Sequence, residues 1–153
     1  MKNQLLIRRR KSEPLPFDLL LLADPSKKMI DRYLSKSEVF IATTHDQTIG
    51  VLVLRIEGKE AEIMNLAVAE AHQGKGIGSR LINHAISISK EKGLRKLMIA
   101  TADTSKNQLR LYQHLGFTVS EQVKDFFIKN YEMPIMENGK QAKDMIRLGM
   151  MLT

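Results

Sequence analysis

Three glycines at alternate positions, Gly74, Gly76 and Gly78, separate an apolar, strand-like run from a long amphipathic stretch. The segment reads Ala67-Val68-Ala69-Glu70-Ala71-His72-Gln73-Gly74-Lys75-Gly76-Ile77-Gly78. A turn this rich in glycine lets the backbone approach a ligand closely and present its N–H groups. The helix that begins here adds the unsatisfied amides of its first turn and the positive end of its dipole. Together they make an anion site suited to a pyrophosphate, with Lys75 and Arg80 adding charge nearby. The Rossmann loop needs Gly-x-Gly-x-x-Gly with an acidic residue about 20 positions on, and a P-loop ends in Gly-Lys-Ser/Thr. The spacing here is neither. A tight connection with no ligand is the bland alternative.

The elements around this turn follow from periodicity and punctuation. Residues 4–9 read as a first strand, broken by Pro14 and Pro16, and Phe17–Ala23 as a short apolar helix. Asp24-Pro25 reads as a helix start, with Asp24 as N-cap and Pro25 at the first helical position. Residues 38–43 and 48–57 are strands flanking a loop at His45-Asp46-Gln47. Gly58-Lys59 matches a two-residue hairpin turn into a strand over Glu60–Val68. Ile77, Leu81, Ile82, Ala85, Ile86 and Ile88 then recur at helical spacing, closed by Lys90, Lys92 and Gly93. A buried strand is expected over 96–101, a helix over 105–115 ended by Gly116, a strand over 117–128, a hairpin at Asn138-Gly139 and a last strand over 144–152. The order predicts one mixed α/β domain over residues 1–153, with an antiparallel meander at its centre.

Composition excludes several function classes. There is no Cys, so disulfides, thiolate nucleophiles and Cys-based metal sites are out. None of the four His falls at metal-ligand spacing, and no metal is expected. The N-terminal apolar run is too short for a leader, and residues 19–23 fall far short of the roughly 20 apolar residues of a membrane span. A cytoplasmic protein without a membrane partner is the expectation. The net charge of +7 favours an anionic partner. With 5% aromatics and no Trp, a stacking platform for nucleic acid is not expected.

Two motifs then carry a family resemblance. Gln73-Gly74-Lys75-Gly76-Ile77-Gly78, preceded by Ile63-Met64-Asn65-Leu66-Ala67-Val68, is similar to the Gln/Arg-x-x-Gly-x-Gly/Ala motif of the GNAT superfamily of N-acetyltransferases. Leu111-Tyr112-Gln113-His114-Leu115-Gly116-Phe117 resembles that family's Leu-Tyr-x-x-x-Gly-Phe motif. The matches span roughly residues 38–128. The resemblance implies the GNAT fold: a central mixed, mostly antiparallel sheet flanked by helices. It also implies an acetyl-CoA site, with the backbone of Leu66, Ala67 and Val68 pairing with the pantetheine arm. Gln73, Gly74, Lys75, Gly76, Ile77 and Gly78, joined by Ser79, would hold the pyrophosphate. The chain departs from the pattern where many members carry an Asn that contacts the cofactor. Ser105 stands there, and Asn107 is displaced by two. Ser105 as a helix N-cap is the plainer reading.

Acetyl transfer from a thioester needs a neutral amine and a proton donor for the leaving sulfur. Tyr112, at the position that serves this role in many members, is the candidate general acid; packing as a core tyrosine is the alternative. Glu62 is a candidate base acting through water, and Asn65 a candidate for orienting water or substrate. Strand alternation sends these two to opposite faces unless a bulge intervenes. The oxyanion would be met by a backbone N–H at Leu66 or Val68. His72 and His114 read as solvated and His45 as a turn residue. Without Cys, direct transfer in a ternary complex is expected. The acceptor would be a small-molecule or peptide amine held by residues 17–34 and 125–141, where Phe126, Phe127 and Tyr131 are candidate walls. A homodimer is expected, with the Met-rich C-terminal third as one possible contact. A catalytically silent acyl-CoA-binding sensor is the competing reading from another class.

Overall fold

The computed structural model describes residues 4–152. Residues 1–3, part of the run weighed as a leader, lie outside the described residues, as does Thr153. The elements are β1 (Leu6–Arg9), α1 (Phe17–Ala23), α2 (Lys27–Leu34), β2 (Ser37–Thr44), β3 (Gln47–Glu57), β4 (Glu60–Val68), α3 (Ile77–Glu91), β5 (Lys96–Ala102), α4 (Lys106–His114), β6 (Thr118–Val123), α5 (Phe126–Asn130), β7 (Met136–Glu137), β8 (Lys140–Gln141) and β9 (Met145–Met151). Seven strands form one sheet in the order β1-β2-β3-β4-β5-β9-β6. Every neighbouring pair is antiparallel except β4 and β5. A parallel pair needs a crossover, and α3 supplies it.

The sheet is covered on both faces, which is why β2 and β3 read as almost unbroken apolar runs. Phe40, Ala42, Leu52 and Leu54 turn towards Ile77, Leu81, Ile82 and Ala85 of α3 and towards Phe117. Their neighbours Val39, Ile41, Val51 and Val53 turn to the other face and meet Leu19, Leu20 and Ile30 of α1 and α2. Strand periodicity thus splits one apolar stretch into two cores. Helix α3 lies close on the sheet: a Cβ on Gly50 would sit 3.1 Å from Leu81 Cδ1 and 3.2 Å from Ala42 Cβ.

The turns follow the expected chemistry. His45 and Asp46 both have positive φ in a two-residue connection between β2 and β3. Asn138 and Gly139 do the same between β7 and β8, as a tight hairpin of this kind requires.

Two local expectations are corrected. The strand expected over residues 117–128 stops at Val123, and residues 126–130 are helical. Asp125 turns the chain with a φ of 56° and its amide donates to Asp144 Oδ1, while Phe127 N–H bonds to the Lys143 carbonyl, so the segment folds back as α5. Asp24 does not cap α2. That role belongs to Ser26, whose hydroxyl accepts from Met29 N–H at 3.2 Å. Asp24 ends α1 instead, and tyrosines bind its carboxylate.

Candidate active site at a forked strand pair

The site begins with one extra residue. Along β3 and β4, Val53 pairs with Asn65 and Leu54 with Ile63, which leaves Met64 without a partner. This bulge resets the alternation of β4. Before it, Ala61 and Ile63 face the α3 side; after it, Ala67 faces the α1–α2 side. Asn65 takes that side too, donating from Nδ2 to the Leu20 carbonyl at 3.0 Å. Glu62 and Asn65 therefore share a face and line one cavity.

The bulge also marks where the sheet opens. The ladder between β4 and β5 runs only from Glu60–Lys96 to Ile63–Ile99, although β4 continues to Val68 and β5 to Ala102. Beyond Ile63 the two strands part. Ala69 N–H bonds to the Ile49 carbonyl at 2.8 Å on the β3 side. By strand alternation Ala67 is also directed at β3, so Leu66 and Val68 turn their backbone groups into the fork. The Val68 carbonyl is taken by Gln73 Nε2 at 2.9 Å, which ties the glycine-rich turn to the end of the strand.

That turn has the expected form. After a short 3₁₀ turn at Glu70–His72, Gly74 and Gly76 adopt φ of 79° and 81°. These are left-handed values that side-chain-bearing residues rarely take. The first amide of α3 to reach a helical carbonyl is that of Arg80, bonded to Gly76 at 3.1 Å. No backbone carbonyl among the described residues accepts from the amides of Gly74, Lys75, Gly76, Ile77, Gly78 or Ser79. A Cβ built on Gly74, Gly76 or Gly78 meets nothing within 4 Å. The open side of the turn therefore presents bare amides, flanked by the exposed cations Lys75 and Arg80.

A cavity of about 520 Å³ fills the fork. Met64, Asn65 and Leu66 wall it on one side and residues 99–102 on the other, with Ser105, Gln108 and Tyr112 of α4 also in the lining. The end of α1, Met29, Phe126, Phe127 and Tyr131 close it. Tyr112 is 7% exposed, packs edge-on to Phe117 at 6.4 Å, and makes no hydrogen bond through its hydroxyl among the described residues. Burial pushes its phenol up to about 12, so the group is a hydrogen-bond donor at any ordinary pH.

The other expected site residues divide. The Glu62 carboxylate lies 3.4 Å from Arg55 Nη2 and 3.5 Å from Arg147 Nη2, so its charge is already answered. Asn65 is 4% exposed and also donates to the Tyr33 hydroxyl at 3.0 Å. Ser105 stands at the N-cap position of α4, but its hydroxyl makes no capping bond and donates to Glu137 Oε1 at 2.5 Å. Asn107 is exposed, accepts from Arg110 at 3.4 Å, and is absent from the lining. Phe126, Phe127 and Tyr131 do form walls.

Sequence reasoning missed Asp24, Tyr33 and Glu137. Asp24, 9% exposed, accepts from the Tyr33 hydroxyl at 3.2 Å, the Tyr131 hydroxyl at 2.9 Å and Ser26 N–H at 3.1 Å. Burial, foremost, raises the phenols of Tyr33 and Tyr131, and the Asp24 charge adds to the shift. No local signal marks this group, because its members come from α1, α2, β4 and the segment after α5. Among the described residues no group of three or more His, Cys, Asp or Glu is placed to hold a metal ion, and no helix is long and apolar enough to cross a membrane.

Comparison with known proteins places these features in a family. The model of the acetyltransferase (GNAT) family matches residues 8–117. The chain is 44% identical to YvbK, an uncharacterized N-acetyltransferase of Bacillus subtilis, over 133 residues covering 86% of each protein. A GNAT family acetyltransferase from Elizabethkingia anophelis, solved with acetyl-CoA bound, superposes with a TM-score of 0.94 at 44% identity, covering 99% of this chain and 100% of that one. A Bacillus subtilis acetyltransferase solved with CoA gives 0.90 at 40% identity, covering 98% and 100%. The chain therefore belongs to the GNAT acetyltransferase family.

Proposed function

We propose that this chain moves the acetyl group of acetyl-CoA directly to a primary amine in a ternary complex. The observation that carries the reading is the fork: β4 and β5 separate beyond Ile63, and β4 then leads into a turn whose amides have no carbonyl partner among the described residues. An extended arm with two amides can add to the open edge of β4 as a peptide adds to a sheet. Leu66 and Val68 are the residues whose backbone groups face it. Gly74 to Ser79 would receive the pyrophosphate through main-chain N–H groups, with Lys75 and Arg80 alongside. Gln73 acts on the protein itself, through its bond to Val68. That related proteins were solved with acetyl-CoA and with CoA supports this placement.

In the transfer, the amine nitrogen bonds to the thioester carbon, the carbon–sulfur bond breaks, the amine loses a proton and the sulfur gains one. A backbone N–H in the fork, at Leu66 or Val68, is placed for the oxyanion. Tyr112 offers its free hydroxyl to the departing sulfur. With a pKa of about 12 against about 8.5 for a thiol, it stabilises the thiolate more readily as a hydrogen-bond donor than by losing its proton. Glu62, held by two arginines, serves best by positioning water.

The same reading includes a cytoplasmic enzyme and a homodimer. The dimer is supported by the edge strand β6, where Val119 stands 49% exposed, and by Met151, 67% exposed, on the adjoining β9. Sedimentation checks it.

The activity test is release of free CoA from acetyl-CoA with a panel of primary amines. Because the protein has no Cys, a thiol-reactive dye reports the product without background. CoA binding seen by calorimetry, with amine-dependent release, is the expected result. Binding without release from any amine class would instead select a silent acyl-CoA sensor, and ping-pong kinetics would remove the ternary complex.

A further inference from the structure

Three carboxylates line the cavity, and they differ in how their charge is met. Glu62 has two guanidinium groups within 3.5 Å. Glu137 accepts from the hydroxyls of Thr104 and Ser105 and stays partly exposed. Asp24 is the most enclosed of the three, and all of its partners are neutral: two phenols and one amide. Among the described residues no Lys, Arg or His lies within 4.0 Å of it. Neutral donors orient a carboxylate but cancel none of its charge. Withdrawing such a group from water is costly unless a cation joins it. The chain is rich in Lys and Arg, yet none of those among the described residues is spent here.

A second acceptor stands in the same lining. Asn65 Oδ1 is buried and has no hydrogen-bond partner among the described residues. The amide cannot be turned over to relieve it. Its nitrogen donates to the Leu20 carbonyl at 3.0 Å, and a flip would set oxygen against oxygen there. One anion without a cation and one acceptor without a donor, linked through Tyr33, therefore stand in the lining of the same cavity.

We propose that this corner receives a second, protonated nitrogen of the acceptor, so that the substrate is an aliphatic diamine. The proposal rests on the acetyl-transfer reading. The nitrogen at Asp24 is the one that does not react. A neighbouring carboxylate favours the protonated form of an amine, and a protonated amine cannot attack. The reacting nitrogen belongs at the fork, near Tyr112, where Glu62 is already neutralised. The same lining holds apolar side chains such as Leu22, Met29, Phe126 and Phe127, which suit a methylene chain.

The test compares 1,3- to 1,6-diaminoalkanes with n-alkylamines of equal length, using acetyl-CoA and the wild-type protein. The best diamine should show a KM at least about tenfold below that of its matched monoamine, as for a cation meeting an enclosed carboxylate. In Asp24→Asn that preference should disappear through KM. Should Asp24→Asn fail to fold, as judged by circular dichroism, the wild-type comparison decides alone. Monoamines and diamines behaving alike in the wild type, including neither being acetylated, overturns the proposal. So does a folded Asp24→Asn that keeps the preference, or one that loses kcat equally for both, which would mark Asp24 as a proton acceptor. Calorimetry with CoA runs in parallel. Absent CoA binding removes the acetyl-transfer reading itself, whereas CoA binding without diamine preference removes only this inference.

Discussion

Two regions around the fork are built by opposite means. The end proposed for the cofactor is main chain: the fork-facing groups of Leu66 and Val68 and the amides of a glycine turn, all within residues 66–79. The acceptor end is side chain: Asp24, Tyr33, Asn65 and Tyr131 arrive from four segments, with 107 positions between the first and the last. A backbone site tolerates almost any side chain that keeps the turn, while a side-chain site depends on a few atoms held by packing. The first end can stay constant while the second is rebuilt for another acceptor. Tyr112 is in the cavity lining, and the proposed transfer has both ligands meet beside it.

Substitutions can break this division. The largest effect is expected at the meeting point. Tyr112→Phe deletes one oxygen from a buried phenol and should lower kcat on the order of a thousandfold, with CoA affinity by calorimetry nearly unchanged. Equal losses in both would place Tyr112 in cofactor binding instead. In the wild type, a phenol pushed up to about 12 stays protonated, so the kcat profile should show no falling limb below about pH 11. The same shift has a stability counterpart. Above pH 10 the unfolded chain loses the Tyr112 proton while the folded protein keeps it, so stability should fall as pH rises from about 10 to about 12.

Next comes the cofactor end. Gly76→Asp forces a side chain into a φ of 81° and points a negative charge at the anion site. CoA affinity should drop roughly a hundredfold, as expected when preorganised donors to an anion are spoiled. A measured affinity left intact would mean the phosphates bind elsewhere. The smallest effect belongs to the acceptor end. Asn65→Ala strips donors from the Leu20 carbonyl and the Tyr33 hydroxyl and should cost about 2 kcal/mol of stability by denaturant titration. CoA affinity should hold, since the side chain faces away from the cofactor edge. If affinity falls as well, the two ends are coupled through β4.

How much of this was legible in the sequence follows the same division. The glycine turn could be read because backbone conformation is written locally: φ near 80° at Gly74 and Gly76 demands the residue type found there. The meander, the crossover helix and the hairpin at Asn138-Gly139 were legible for the same reason. Tyr112 was placed by its motif, since helix periodicity alone could not separate an active group from a packed one. Asp24 was misread because Asp before Pro is a good local helix start, and its tyrosine partners, 9 and 107 positions away, carry no trace in that dipeptide. Helix α5 was hidden because Phe126, Phe127 and Ile128 suit a strand equally well, and only the hold of Lys143 and Asp144 on the turn decides. Alternation makes a bulge the condition for uniting Glu62 with Asn65, but nothing in the residues themselves requires one or puts it at Met64.

That unpaired methionine does more than join two side chains. Deleting it would put β4 back into step with β3 and leave every remaining pair opposed as before, with Asn65 following Ile63 directly and keeping its face. Both cores would keep their side chains, but the local bend at which β4 leaves β5 would go with the extra residue, and the fork proposed for the thioester would lose what opens it by a change of one residue in length. In this protein the catalytic arrangement is stored as a miscount between neighbouring strands, so its weak point is chain length rather than chemistry.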